Sequence, residues 1–204
     1  MNTLSAEEIR VLGCLLEKDM TTPEYYPLTL NALVNACNQK SSREPIVSYA
    51  EETVLRALEG LKHRGMAVRI SGAGHRVEKY GHTLGEKLNL GRRELALLCL
   101  LMLRGPQTVG ELRGRTERMH DFADLDEVER CLAGLASRSP EAYALAMPRG
   151  RWAQLMGGEP SIYSEPAVAE SANHSSDLER RMGTLEEEMA ELKSQWEVFR
   201  KQFD

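Results

Sequence analysis

Leu4-Ser-Ala-Glu-Glu-Ile9-Arg-Val-Leu12-Gly-Cys-Leu15-Leu16 and Leu90-Gly-Arg-Arg-Glu-Leu95-Ala-Leu-Leu98-Cys-Leu-Leu101-Met102 are one pattern written twice, 86 residues apart. Both place apolar residues at i, i+3 and i+6 or i+7, the stripe of an amphipathic helix. Ser5 followed by Glu8 adds a capping box at the start of the first copy. A second helix follows in each half, over Leu28–Val34 and Thr108–Leu112, with Pro27 and Pro106 just before it, where helix entry tolerates proline. The third pair is Glu52–Leu61 against Asp126–Leu135, now 74 residues apart. The smaller offset assigns longer connecting loops to the first half.

Beyond each third helix the period changes from 3.6 to 2. Ala67–Ser71, a Gly72-Ala73-Gly74 turn and His75–Tyr80 read as one β-hairpin, and Tyr143–Met147, Pro148-Arg149-Gly150 and Arg151–Leu155 as another. Three helices and a hairpin, twice over, is the order of a winged helix-turn-helix. The alternative is an irregular helical bundle with incidental hairpins. The expected fold class is therefore mainly α with small β-hairpins (α+β). It comprises a first winged-helix domain at 1–85, a second at 86–158, a linker at 159–176 and a coiled-coil helix at 177–204.

Composition supports a helical reading. Hydrophobic residues make up 42% and aromatic residues only 5%, so the core rests on aliphatic side chains. The net charge of -5 is unevenly spread: residues 159–204 hold five Lys/Arg against eleven Asp/Glu, whereas the two halves before them are nearly neutral. Charge alone does not indicate a strongly basic nucleic-acid binder. Cys14, Cys37, Cys99 and Cys131 form no CxxC or Cys/His pair and read as small buried hydrophobes in a reducing compartment. The first residues lack the charged-then-apolar profile of a signal peptide. The longest apolar run, Leu95–Leu103, is about half the length of a membrane span. The expected location is cytoplasmic, with no membrane partner.

Residues 159–176 are rich in Pro, Ser and Ala, without periodicity, as in a flexible linker. After them, Leu178, Met182, Leu185, Met189, Leu192, Trp196, Phe199 and Phe203 are spaced 4, 3, 4, 3, 4, 3, 4. This is a heptad seam. Ser176 and Glu179 open it with a capping box, and parallel pairing sets Arg181 against Glu186 and Glu188 against Lys193. The expectation is a homodimer through this helix. The alternative is a single amphipathic helix folded back on the body, since Gly183 costs up to about 1 kcal/mol in a helix.

Longer strings carry a family resemblance. Gly13-Cys-Leu-Leu-Glu-Lys18, Thr21-Thr-Pro-Glu-Tyr-Tyr-Pro27, Ala36-Cys-Asn-Gln-Lys-Ser-Ser-Arg-Glu-Pro45 and Arg104-Gly-Pro-Gln-Thr-Val-Gly-Glu-Leu-Arg113 resemble the YceH-like family of bacterial proteins, over roughly residues 4–156. The resemblance implies two winged-helix domains and carries no catalytic residues over.

The residues themselves offer little for catalysis. There is no Gly-rich phosphate loop, HExxH or GxSxG string, and His63, His75, His82, His120 and His174 are scattered. No enzyme activity, cofactor or metal is expected. For nucleic acid, the third helices begin with acids, Glu51 and Glu52 in one and Asp124, Asp126 and Glu127 in the other, which suits the helix dipole but opposes phosphates. Their cationic candidates are Arg56 and Lys62. Others lie in the long loop (Asn38, Gln39, Lys40, Arg43), the first hairpin (Arg69, His75, Arg76), the second (Arg149, Arg151) and on or after the second helix of the second half (Arg113, Arg115, Arg118). Two functions follow as expectations. The first is a DNA-binding, transcription-regulator-like protein whose partner is double-stranded DNA. The second is an adaptor whose winged helices dock a protein partner. A continuous basic face through Arg43, Arg76, Arg113 and Arg151 would favour the first.

Overall fold

Ser5 starts the first helix as the sequence anticipates. Its hydroxyl accepts from Glu8 N at 3.2 Å while Ser5 N donates to Glu8 Oε2 at 2.8 Å, closing the capping box. The helix so begun, α1 (Ala6–Thr21), is buried all round at its centre. In a computed structural model describing residues 3–71 and 77–159, this burial follows from two partners on opposite sides. On one side stand α2 (Leu30–Cys37) and α3 (Glu51–His63), and on the other α5 (Arg92–Arg104), its most extensive neighbour.

Gly13 is where α1 and α5 come closest. A Cβ added there would lie 2.9 Å from Leu103 Cδ2 and 3.2 Å from Met102 Cβ, so a glycine is needed for this approach. Cys99 Sγ donates to Gly13 O at 3.4 Å across the same contact. In α5 every residue from Ala96 to Leu103 is buried. The two copies of the opening pattern therefore face each other at the centre of one contiguous core running from Leu4 to Met156.

Each half continues in the same order of short strand, two helices and hairpin. Two-residue strands, β1 (Leu28–Thr29) and β4 (Gln107–Thr108), precede α2 and α6 (Val109–Thr116). The anticipated helix starts at Leu28 and Thr108 are corrected by two residues and one. Thr29 and Thr108 end a strand and cap a helix at once, each hydroxyl accepting from a backbone N–H three residues on at 3.3 Å. After α3 come β2 (Ala67–Ile70) and β3 (Lys79–His82), and after α7 (Leu125–Ala136) come β5 (Ala144–Met147) and β6 (Arg151–Gln154). Both sheets are antiparallel, ordered β1-β3-β2 and β4-β6-β5, with Leu28 opposite Tyr80 and Gln107 opposite Trp152. The fold is mainly α with two small three-stranded sheets.

The first hairpin departs from the sequence reading. Its return strand begins at Lys79 rather than His75, and the register is fixed by Ala67 opposite His82. The tip at 72–76 lies outside the described residues. A short helix not anticipated, α4 (Leu84–Leu88), follows. Its last carbonyls are held by Arg138 of the other half, Nη1 to Leu88 O at 3.1 Å and Nη2 to Asn89 O at 2.9 Å. In the second hairpin the expected three-residue connection is present as a single 3-10 turn at Pro148–Gly150, with Arg149 and Gly150 left-handed at φ 61° and 66°.

The linker and the heptad seam (Leu178, Met182, Leu185, Met189, Leu192, Trp196, Phe199 and Phe203) lie outside the described residues, apart from Glu159. All four cysteines are free and buried. Among the described residues no helix is long and apolar enough to cross a membrane.

Candidate nucleic-acid interface

Arg10, Cys14 and Glu17 lie at i, i+4 and i+7 on α1, one stripe of the helix that includes two charged side chains. The stripe decides the fate of the long loop between α2 and α3. Arg43, expected there as an exposed donor, is instead withdrawn into the protein, its side chain wholly buried. Nη1 and Nη2 grip Glu17 Oε1 and Oε2 at 3.0 and 2.6 Å, Nε donates to Ala36 O at 3.1 Å, and Nη2 also donates to Gln39 Oε1 at 2.8 Å. The bidentate pairing explains the burial, since a guanidinium leaves water only when its donors are met.

Arg10, 3% exposed, completes the arrangement by donating to Cys37 O at 3.3 Å and Pro45 O at 2.5 Å. Two cations thus sit at the C-terminal end of α2, where the helix dipole favours them. Burial pushes the Glu17 carboxyl up, but the Arg43 hydrogen bonds outweigh it and hold it below the ordinary range.

Other loop candidates are also structural. The Asn38 amide accepts from Tyr49 N at 2.7 Å and donates to Tyr49 O at 2.9 Å, pinning the loop's two ends together. Lys40 is exposed. On α3, Arg56 is exposed and Lys62 pairs with Glu59 at 2.8 Å. In the first hairpin Arg69 pairs with Glu78 at 2.9 Å, and His75 and Arg76 lie outside the described residues.

The second half keeps its cations outside. Arg113 is exposed and latches the segment after α6 through Phe122 O at 3.2 Å and Ala123 O at 3.0 Å. Arg118 and Arg149 are exposed. Arg115 and Arg151 are brought together around Glu111: Arg115 Nη1 lies 3.4 Å from Glu111 Oε1, and Arg151 Nη1 lies 3.6 Å from Oε2. The Glu111 carboxyl is held below its ordinary range, because Thr108 N–H and then its hydroxyl donate to it. Arg115 also donates to Gln107 Oε1, and Arg151 to Pro106 O at 2.8 Å.

Sequence reasoning missed a third member of this group. Arg104, the last residue of α5, donates from Nη2 to Ser42 Oγ at 2.5 Å, so the first half's loop touches the second half's cations. The loop is held there by Glu44 N donating to Leu103 O at 2.7 Å. Nothing local marks Arg104 in the sequence, since its neighbours Ser42 and Arg115 are 62 residues before it and 11 after it.

A face through Arg43, Arg76, Arg113 and Arg151, the feature that would favour DNA, lacks Arg43, which is buried, and Arg76 lies outside the described residues. Arg43 is removed from it by Glu17, while Arg104, Arg115 and Arg151 gather at the junction of α5, α6 and β6. The acid start of α7 serves as its cap, whereas α3 has Ala50 as its N-cap residue and no side-chain cap. Asp124 accepts from Glu127 N at 2.7 Å, and Glu127 from Ala123 N at 3.0 Å. Three exposed apolar side chains, Val68, Ile70 and Val77, lie on the first hairpin, and Tyr25, Ile46 and Leu125 are exposed elsewhere. Among the described residues no group of three His, Cys, Asp or Glu side chains could hold a metal ion.

The family described as "Protein of unknown function, DUF480" matches residues 4–151. A UPF0502 protein of Solibacter usitatus is 53% identical over 207 residues, covering 98% of this chain and 98% of the relative. One from Citrifermentans bemidjiense is 54% identical over 92% of this chain and 89% of its own. A third, from Opitutus terrae, is 51% identical over 93% and 83%. With more than half of the chain inside the family match and relatives this similar nearly end to end, the chain belongs to this DUF480 (UPF0502) family, the YceH-like family that its own strings resemble.

Proposed function

We propose that this protein is a cytoplasmic, non-enzymatic, DNA-binding protein of transcription-regulator type, built from tandem winged helices. The observation that carries the reading is the exposed arginine group of the second half, Arg113, Arg115, Arg118, Arg149 and Arg151, set on or after α6 and at the β5–β6 turn. These are the helix that crosses the backbone in a helix-turn-helix and the wing beside it. The repeated order of three helices and a hairpin, with the same strand order in each sheet, supports the same reading.

A salt titration tests it. Duplex DNA should bind at low salt and weaken with a log-log slope of about -0.9 per phosphate neutralised. No duplex binding at low salt would remove the proposal.

A second reading has its own observation. Val68, Ile70 and Val77 give the first hairpin an apolar exposed surface, and the withdrawal of Arg43 makes the first half less suited to phosphates. Under this reading the protein is an adaptor that docks a protein partner. A stoichiometric partner retained after nuclease treatment, and lost in a Val68→Asp, Ile70→Asp variant, would favour it.

A further inference from the structure

Arg115 and Arg151 share the Glu111 carboxylate, and they share it loosely, while Arg104 beside them is bonded to Ser42 instead. The distances from Glu111 to Arg115 and Arg151, 3.4 and 3.6 Å, are longer than charged hydrogen bonds, so the attraction is present but the donors are not saturated by it. Arg104 Nε is buried and has no hydrogen-bond partner among the described residues. Burial first, and then Arg115 and Arg43 nearby, lower the affinity of Arg104 for its own proton, although Glu17 and Glu111 act the other way.

Gln107, the β4–β6 register and Ser42 hold the group in place. Gln107 bridges two of its members, its Nε2 donating to Arg104 O at 3.3 Å and its Oε1 accepting from Arg115. Arg151 is fixed by strand register, opposite Thr108. Ser42 closes the remaining side, at a left-handed φ of 59°, with its carbonyl accepting from Arg43 at 2.9 Å.

We infer that Arg104, Arg115 and Arg151, closed on one side by Ser42, form a seat for one backbone phosphate of a DNA duplex. This rests on the DNA-binding reading and adds to it where the first phosphate sits. With Glu17 engaged by Arg43, three guanidiniums against the Glu111 carboxylate leave an excess of two positive charges. Planar guanidinium forks suit an oxyanion with several oxygens better than a point cation would. Because Ser42 comes from one half and the arginines from the other, the seat exists only while the two halves are packed together. Glu111 holds the arginines in place until the phosphate arrives.

Duplex binding by the full chain, measured by fluorescence anisotropy from 0.05 to 0.3 M salt, tests the seat. Arg115→Gln and Arg151→Gln should each weaken binding about eight-fold at 0.1 M salt and flatten the slope by about 0.9, the counterion-release value of one phosphate. Glu111→Gln, which still caps α6, should tighten binding about five-fold, the worth of one unit charge at about 4 Å in water. Lys87→Gln, an equal charge change on exposed α4, should alter binding less than two-fold. If Lys87→Gln weakens binding as much as the arginine variants, or Glu111→Gln fails to tighten it, the seat is overturned and the DNA-binding reading stands. If the unaltered protein binds no duplex, the DNA reading fails. The seat is then judged by inorganic pyrophosphate: a rise in Tm that is lost in Arg151→Gln keeps an anion seat, and no rise overturns it. Far-UV circular dichroism checks that each variant folds, and Arg151→Gln, which removes one side-chain hydrogen bond, to Pro106 O, serves if Arg115→Gln does not fold.

Discussion

Replacing Arg43 by methionine would leave the Glu17 carboxylate largely buried with its bidentate partner gone. Removing one member of such a pair costs about 3–5 kcal/mol. Equilibrium urea unfolding should show a loss of that order in Arg43→Met and a smaller one in the double variant Glu17→Met, Arg43→Met, where no charge is stranded. A loss under about 1 kcal/mol in the single variant would mean the pair does not anchor the loop. His82 carries a second residue-scale consequence. Burial pushes its imidazole below the ordinary 6.5, although Asp19 lies 3.3 Å from Nε2 and works the other way. The unfolded chain therefore takes up this proton first, so the stability His82 contributes is complete above about pH 6.5 and falls as pH drops through its lowered value. Urea midpoints measured from pH 7.5 to 5 should decline, and His82→Gln should flatten that decline. An equally steep decline in the variant would assign it to other groups.

Among elements, α1 and α5 were legible from the sequence in place and type, because their stripes and the Ser5 cap are local signals. Their mutual contact was not, since an apolar stripe does not name its partner. Gly13 shows the difference: in sequence it is a weak point in a helix, and in the fold it is the crossing of two helices. Gly13→Val should cost about 1–3 kcal/mol by overpacking against Leu103 and Met102, read as a lowered Tm. β1 and β4 were missed because two residues carry no period. They exist because β3 and β6 supply their pairing and a threonine at each end caps the next helix. For the seam at 178–203 the spacing argues self-association. Light scattering on the full chain should give a dimer, and Leu185→Glu a monomer. A monomeric unaltered chain would remove the pairing.

At the scale of the molecule, α1 and α5 bind the two halves through one core, the Arg138 side chain and the Glu44 and Leu4 backbone add hydrogen bonds across it, and Leu4 N donates to Met156 O at 2.8 Å. Amide exchange in α1 and α5 should therefore report one opening free energy. Two well-separated values would mean that the halves unfold independently.

Taken alone, the sequence settled the order of helices and hairpins, their duplication and the family, because periodicity, capping and turn chemistry act over a few residues. Tertiary structure decided which arginines face water. Arg43 and Arg115 are alike in type, but Glu17 and the end of α2 draw the first inside, while Gln107, Glu111 and the end of α5 hold the second at the surface. That choice depends on charges and carbonyls distant along the chain, which come within reach only once the helices have packed.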